Sequence, residues 1–212
     1  MLSLLMPLPL VSAEEFGDID DAPLYPQEAA LVARAVDGRR REFATGRACA
    51  RRALGRLGLP PGPILSQERG APSWPDGVVG SLTHCEGYRA AALGLRRDVR
   101  AIGIDAEPDA PLPAGVLEVI ALDEEAAMVR ALAAARPGPS WDRLLFSAKE
   151  AVYKAWFPLT RRPLDFTQAL IEVEPDGSFT ARLLVPGPLP GFHGRWLAAR
   201  GLLVTAITVP AR

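Results

Sequence analysis

The sequence predicts an α+β fold of two similar halves, residues 1–110 and 111–212. Three observations predict it. A helix-then-antiparallel-sheet order occurs twice along the chain, the proline-rich break from Pro108 to Pro113 separates the two passages, and 212 residues with 49% hydrophobic and 23% charged content suffice to bury a real core. The repetition is one of element order, since no residue-level repeat is visible.

Each element follows from local pattern. The apolar run Met1 to Val11 has no Lys or Arg ahead of it, contains Pro7 and Pro9, and leads into acidic residues from Glu14 to Asp21, so it is read as an N-terminal strand rather than a secretory leader. Good helix formers from Pro26 to Leu57, with Leu31, Phe43 and Leu54 among their apolar positions, predict one or two helices broken near Gly38 and closed by Gly58 and Pro60. A loop rich in Pro and Gly follows to Gly77. Val78 to Thr83, Tyr88 to Leu95 and Ala101 to Ala106 then predict three short strands of a small sheet. In the second half, helices are predicted from Ala114 to Ala135 and, after Pro137-Gly138-Pro139, from an N-cap at Ser140 to about Trp156. Strands at 168–173, 179–184 and 194–209 close the chain, the last folded into a hairpin at Gly201.

Composition narrows the function. With 24 Lys+Arg against 25 Asp+Glu the formal net charge is −1, which argues against a protein built to neutralise a nucleic-acid backbone. Cys49 and Cys85 form no CxxC and match no pair of histidines, so neither a disulfide framework nor a zinc cage is supported, and the cytoplasm is the expected compartment. The apolar run Gly201 to Val209 is far short of the roughly 20 residues that cross a bilayer, so no membrane association is expected.

Four clusters can carry chemistry. In Gly103-Ile104-Asp105-Ala106-Glu107, an apolar strand ends in acids at i and i+2, which puts both carboxylates on one side with Cβ atoms roughly 6–7 Å apart. That is either a solvated strand end or a seat for one hard cation such as Mg2+ between two repelling charges. In Phe146-Ser147-Ala148-Lys149-Glu150-Ala151-Val152-Tyr153-Lys154, Glu150 and Lys154 share a helix face. An exposed ion pair of about 0.3–0.5 kcal/mol is the bland account. The alternative is that Asp105, Glu107 and Glu150 with Lys149 and Lys154 form the inventory that holds magnesium, neutralises a pyrophosphate and takes a proton. Thr83 and His84 stand at a strand end, where the imidazole is either merely solvated or bound to a phosphate. His193 sits in a turn signature and is read as structural. The basic run Arg39-Arg40-Arg41, then Arg47, Arg51, Arg52 and Arg56, is either a solvated helix face or a clamp for an exposed phosphate, with Arg39 and Arg47 about two helical turns apart and Arg69 able to join them.

Together these segments resemble the Sfp-type 4′-phosphopantetheinyl transferases, closest to the subset that serves siderophore and polyketide synthases. The resemblance rests on Glu42-Phe43 with Gly46-Arg47 and Ala50-Arg51; Trp74-Pro75-Asp76-Gly77 with Gly80-Ser81-Leu82-Thr83-His84-Cys85; Gly103-Ile104-Asp105-Ala106-Glu107; and Phe146 to Ala155. It implies two α+β halves with the active site between them. It also implies that a serine of an apo acyl-carrier or peptidyl-carrier domain attacks the β-phosphate of coenzyme A, releasing 3′,5′-ADP. By position, the resemblance assigns Asp105, Glu107 and Glu150 to magnesium (manganese being acceptable to the same oxygens), Lys149 and Lys154 to the phosphates, Thr83 and His84 to the nucleotide's phosphates, and Arg39, Arg47 and Arg69 to the basic surround, with Glu150 as the candidate base. Ala106 supplies no ligand. A monomer is expected because one chain carries both halves. Two other readings are a magnesium-dependent nuclease, against which Lys149 and Glu150 fall on a helix rather than a strand, and a non-catalytic coenzyme-A- or carrier-binding module.

Overall fold

The computed structural model describes residues 1–211 as two antiparallel sheets, each carrying one long helix. The first sheet has the order β1-β3-β2, from β1 (Val11–Phe16), β2 (Val78–Cys85) and β3 (Tyr88–Leu95). The second runs β4-β8-β7-β6-β5, from β4 (Val99–Pro108), β5 (Ala169–Val173), β6 (Ser178–Leu183), β7 (Gly191–Ala199) and β8 (Leu202–Pro210). The helices are α1 (Pro26–Leu31), α2 (Asp37–Arg56), α3 (Val116–Ile120), α4 (Asp123–Ala135) and α5 (Trp141–Thr160). This is the α+β class the sequence predicts.

Helix α2 packs on the three-stranded sheet through Cys49, Ala50, Ala53 and Leu54 against Ala91 and Leu93. Helix α5 covers the five-stranded sheet with Leu144, Leu145, Ala148, Ala151, Val152, Ala155 and Trp156 against Ile171, Phe179 and Ile207. Ala148, Ala151 and Ala155 recur at helical spacing, so α5 presents a stripe without bulk to β4. Gly103 completes that contact: a Cβ there would lie 2.0 Å from the Ala151 carbonyl oxygen. This close approach brings the end of α5 to the acids of β4.

Several boundaries differ from the sequence expectation. Residues Leu2–Leu4 form a 3-10 turn and the N-terminal strand is Val11–Phe16, because Pro7 and Pro9 lack the N–H groups a ladder needs. The turn is held by the Met1 ammonium and the Leu2 N–H, both donating to Glu14. The break between α1 and α2 falls at residues 32–36, ahead of Gly38, which lies within α2. The helix expected over 114–135 is two, since Glu125 caps the start of α4 by accepting the Leu122 N–H at 2.7 Å.

The largest correction concerns β4. The sequence reads it as the third strand of the first small sheet, yet its ladder partner is β8, with Asp105 opposite Thr205 and Glu107 opposite Leu203. Its other edge faces β2, where hydroxyl groups take the place of a backbone ladder. Ser81 Oγ accepts the Ile104 N–H at 3.2 Å, and Thr83 Oγ1 accepts the Ala106 N–H at 3.0 Å. Buried amides must be paired, so these two residues seam the sheets together. Leu2, Leu5 and Leu10 pack with Tyr88, Ile102, Ile104 and Val204 in a core shared by both sheets. Cys49 and Cys85 are free thiols. Among the described residues no helix is long and apolar enough to cross a membrane.

Candidate active site

A cleft of about 840 Å³ opens along this seam, within the size range of small-molecule sites. One wall comes from α2, β2 and the loop before it; the other comes from β4 and α5. Arg39, Arg47, Arg69, Thr83, His84, Asp105, Glu107, Glu150 and Lys154 all line it.

Asp105 stands at the centre. Its Oδ1 accepts Lys154 Nζ at 2.7 Å and the Thr83 hydroxyl at 3.3 Å, while its buried Oδ2 has no partner. Lys154 therefore reaches across from α5 to β4 rather than forming the in-helix pair with Glu150. Thr83, itself buried, spends its hydroxyl on Asp105 and the Ala106 amide, so it positions the acid. Glu107, two residues along the strand, accepts Arg143 Nη1 at 3.0 Å on Oε2. Arg143 also donates to the carbonyls of Ala110 and Pro111 at 3.0 Å, which ties Glu107 to the segment leaving the strand.

Burial and the Asp105 charge raise the proton affinity of the two glutamates beside it. Burial, and then repulsion from Asp105, lift the Glu107 carboxyl above its usual range despite Arg143 and Lys154. Burial lifts Glu150 as well, with Lys154 opposing and Asp105 reinforcing the rise. Cys85, beside them, is pushed to about 12 by burial and by Glu107 and Asp105, and remains a thiol at neutral pH.

The basic wall is equally specific. Arg39 faces the cleft, whereas Arg40 turns back to the Val32 and Ala33 carbonyls. Arg47 is buried, donates to the Ile64 carbonyl at 2.7 Å, and lies 4.0 Å over the Phe43 ring. Burial lowers it to about 10, so it stays cationic at neutral pH. His84 is half exposed; Glu42 lies 3.2 Å from its Nδ1 and Arg39 lies 3.3 Å from its Nε2. Partial burial and then Arg39, Lys154, Arg89 and Arg47 bring it down to about 4.

Lys149 is the residue the structure does not bring to the cleft. It is buried, ion-paired to Glu125 at 2.8 Å, and donates to the carbonyls of Phe166 at 2.6 Å and Ala169 at 3.0 Å. Three ammonium hydrogens meet three acceptors, which leaves none for a phosphate. Sequence reasoning missed Glu42 and Arg143 as participants. Arg143 precedes Glu150 by seven residues, two turns on one helix face, and that spacing was the available signal.

Comparison with known proteins gives family matches along most of the chain. Residues 27–94 match the 4′-phosphopantetheinyl transferase N-terminal domain, and residues 101–202 match the 4′-phosphopantetheinyl transferase superfamily. The chain is 58% identical to 4′-phosphopantetheinyl transferase Svp of Streptomyces mobaraensis, over 100% of this chain and 90% of that protein. It is 51% identical to 4′-phosphopantetheinyl transferase PptT of Mycobacterium tuberculosis, over 94% and 92% respectively. Identity to 4′-phosphopantetheinyl transferase Npt of Nocardia iowensis is 48%, over 98% and 99%.

Proposed function

The chain belongs to the 4′-phosphopantetheinyl transferase superfamily, and from that premise we propose that it transfers 4′-phosphopantetheine from coenzyme A to a serine of apo acyl-carrier and peptidyl-carrier domains, releasing 3′,5′-ADP. The observation that carries the reading is the convergence, in one cleft, of the Asp105–Lys154 pair with Glu150 and a basic wall at Arg39, Arg47 and His84. Its carriers are those of polyketide, nonribosomal-peptide, siderophore and lipid assembly, the siderophore class in keeping with a 34% identical stretch shared with enterobactin synthase component D of Salmonella typhi over 56% of this chain and 48% of that protein.

In this mechanism the serine Oγ forms a bond to the β-phosphorus of coenzyme A as the bridging P–O bond breaks, and the electron pair leaves on 3′,5′-ADP. Glu150, in the cleft beside Lys154, takes the serine proton directly or through a bound water. Lys154, aimed by Asp105, meets the negative charge that builds on the departing phosphate. Arg39, Arg47 and Arg69 hold the nucleotide end, and His84 contacts its 3′-phosphate.

A magnesium ion fits the donor chemistry: hard carboxylate oxygens, one of them the buried, unpartnered Asp105 Oδ2, gathered where burial and the Asp105 charge raise the proton affinity of Glu107. Asp105, Glu107 and Glu150 would hold it, although among the described residues no three acids, histidines or cysteines already stand as a cage. When bound it draws charge from the pyrophosphate. Manganese suits the same oxygens. We also read the protein as a cytoplasmic monomer acting on neither nucleic acid nor membrane; its free thiols and a site built within one chain support this. The division into halves near residue 110 is part of the same reading.

The test is incubation with coenzyme A, magnesium and an apo carrier domain, followed by intact mass. One phosphopantetheine should be added to the carrier and none to a carrier whose acceptor serine is Ala. No gain across polyketide, peptide and fatty-acid carriers would favour a binding module instead.

A further inference from the structure

His84 is held between a carboxylate and a guanidinium in a way that fixes its hydrogens. Arg39 has only N–H donors, so His84 Nε2, at 3.3 Å from Arg39 Nη1, must accept. A neutral ring that accepts at Nε2 carries its proton at Nδ1, which faces Glu42 Oε1 at 3.2 Å. Glu42 also pairs with Arg39, so the three side chains close a small charged ring on the cleft wall. A protonated ring would turn a second N–H against Arg39, and that geometry disfavours the imidazolium while the site lacks an anion.

We propose that Glu42 is the positioning residue of this wall: it fixes His84 with Nδ1–H toward itself, so that a phosphate entering beside Arg39 is met by proton uptake at Nε2 and binding of the phosphorylated nucleotide consumes a proton. The inference rests on the assignment of this wall to the nucleotide's phosphate. The carboxylate then serves both states. Its Oε1, buried and without a hydrogen-bond partner, lies beside Nδ1 of the neutral ring and stabilises the imidazolium once the phosphate separates Nε2 from Arg39. The charged groups around the ring are Arg39, Glu42 and Arg47 from α2, Arg89 from β3 and Lys154 from α5, four cations against one acid. Partial burial, reinforced by Arg39, Lys154, Arg89 and Arg47, keeps His84 at about 4, leaving a wide pH interval in which an incoming dianion can reverse its state.

The experiment is calorimetric titration of the protein with 3′,5′-ADP at pH 7 in three buffers of different ionisation enthalpy, which separates the number of protons exchanged from the intrinsic heat. The nucleotide's own phosphates titrate near this pH, so the count is read as the difference between variants. Wild type should take up more protons per nucleotide than His84→Asn. Glu42→Gln should bring the count toward that of His84→Asn and weaken binding by about tenfold, the lower end for loss of a supporting partner. Equal counts in wild type and His84→Asn would overturn the proposal, as would a Glu42→Gln count equal to wild type; in both cases the nucleotide site would stand. No binding of 3′,5′-ADP by wild type would overturn this inference and the assignment of the wall together.

Discussion

Glu28 and Glu125 occupy matching positions in the two sheet-and-helix units. Each is fully buried and is the third residue of its helix. Each caps that helix, accepting the Tyr25 N–H at 2.9 Å or the Leu122 N–H at 2.7 Å. Each accepts the N–H of an isoleucine, Ile64 at 2.9 Å or Ile171 at 2.7 Å, and each binds a cation from the long helix, Arg51 at 2.9 Å or Lys149 at 2.8 Å. The pairing supports a two-half reading at residue level and gives Lys149 a part like that of Arg51: it staples its helix to the segment that follows.

Breaking such a staple is costly because the surviving charge stays buried. Glu125→Ala or Lys149→Met should lower the unfolding free energy by about 3–5 kcal/mol, while the double replacement Glu125→Leu with Lys149→Met should cost less than either. Denaturant unfolding measures this. Where Lys149→Met remains folded, its KM for coenzyme A should match wild type; a rise of tenfold or more would restore the phosphate role that the family resemblance implies.

Gly103 sets the distance between β4 and α5. Gly103→Ala should push α5 off the sheet, because backbone rather than a movable side chain occupies the Cβ position. A loss of about 1–3 kcal/mol is expected, typical of overpacking, together with weaker turnover as Lys154 withdraws from Asp105. Wild-type stability and activity in this variant would contradict the account of how the site is assembled.

The raised proton affinity of Glu150 has a sign that stability can read. The folded, metal-free protein binds more protons here than the unfolded chain, so this group's contribution falls as pH rises from its ordinary value of 4.5 through the raised one. Glu150→Gln removes that dependence. In EDTA the variant should melt above wild type at pH 7 and together with it well below pH 4.5, while turnover is abolished. A variant less stable at pH 7 would show that the carboxylate is not under strain.

Lys154 should matter to the chemical step more than to binding. Lys154→Met is expected to lower kcat by about 10²–10³, the scale of losing one electrostatic donor, with a smaller change in the KM for coenzyme A. Removing the cation that opposes the rise in Glu150 should also move the acid limb of kcat to higher pH. A pure KM effect would place Lys154 in ground-state binding.

Much of this was legible in the sequence. Alternation put Asp105 and Glu107 on one face of a strand, helical spacing put Glu150 and Lys154 together, and turn residues marked the hairpins of both sheets. The partner of β4 was not legible, because a run of small and branched residues does not say which neighbour it pairs with. The hydroxyls of Ser81 and Thr83, which stand in for a ladder, have no sequence signature either. Lys149 was misread because adjacent helix residues point about 100° apart: Glu150 faces the cleft, and its neighbour turns toward Glu125. Glu125 lies twenty-four residues upstream, beyond any local pattern.

In the proposed reaction the acids and the lysine at the seam perform the transfer. Single-turnover transfer to an apo carrier, followed by intact mass, should show complete conversion by wild type with magnesium. Asp105→Asn, shown by circular dichroism to be folded, should be slower by at least about 10², since Lys154 loses the charge that aims it. Wild-type rates in folded Asp105→Asn would place the chemistry elsewhere.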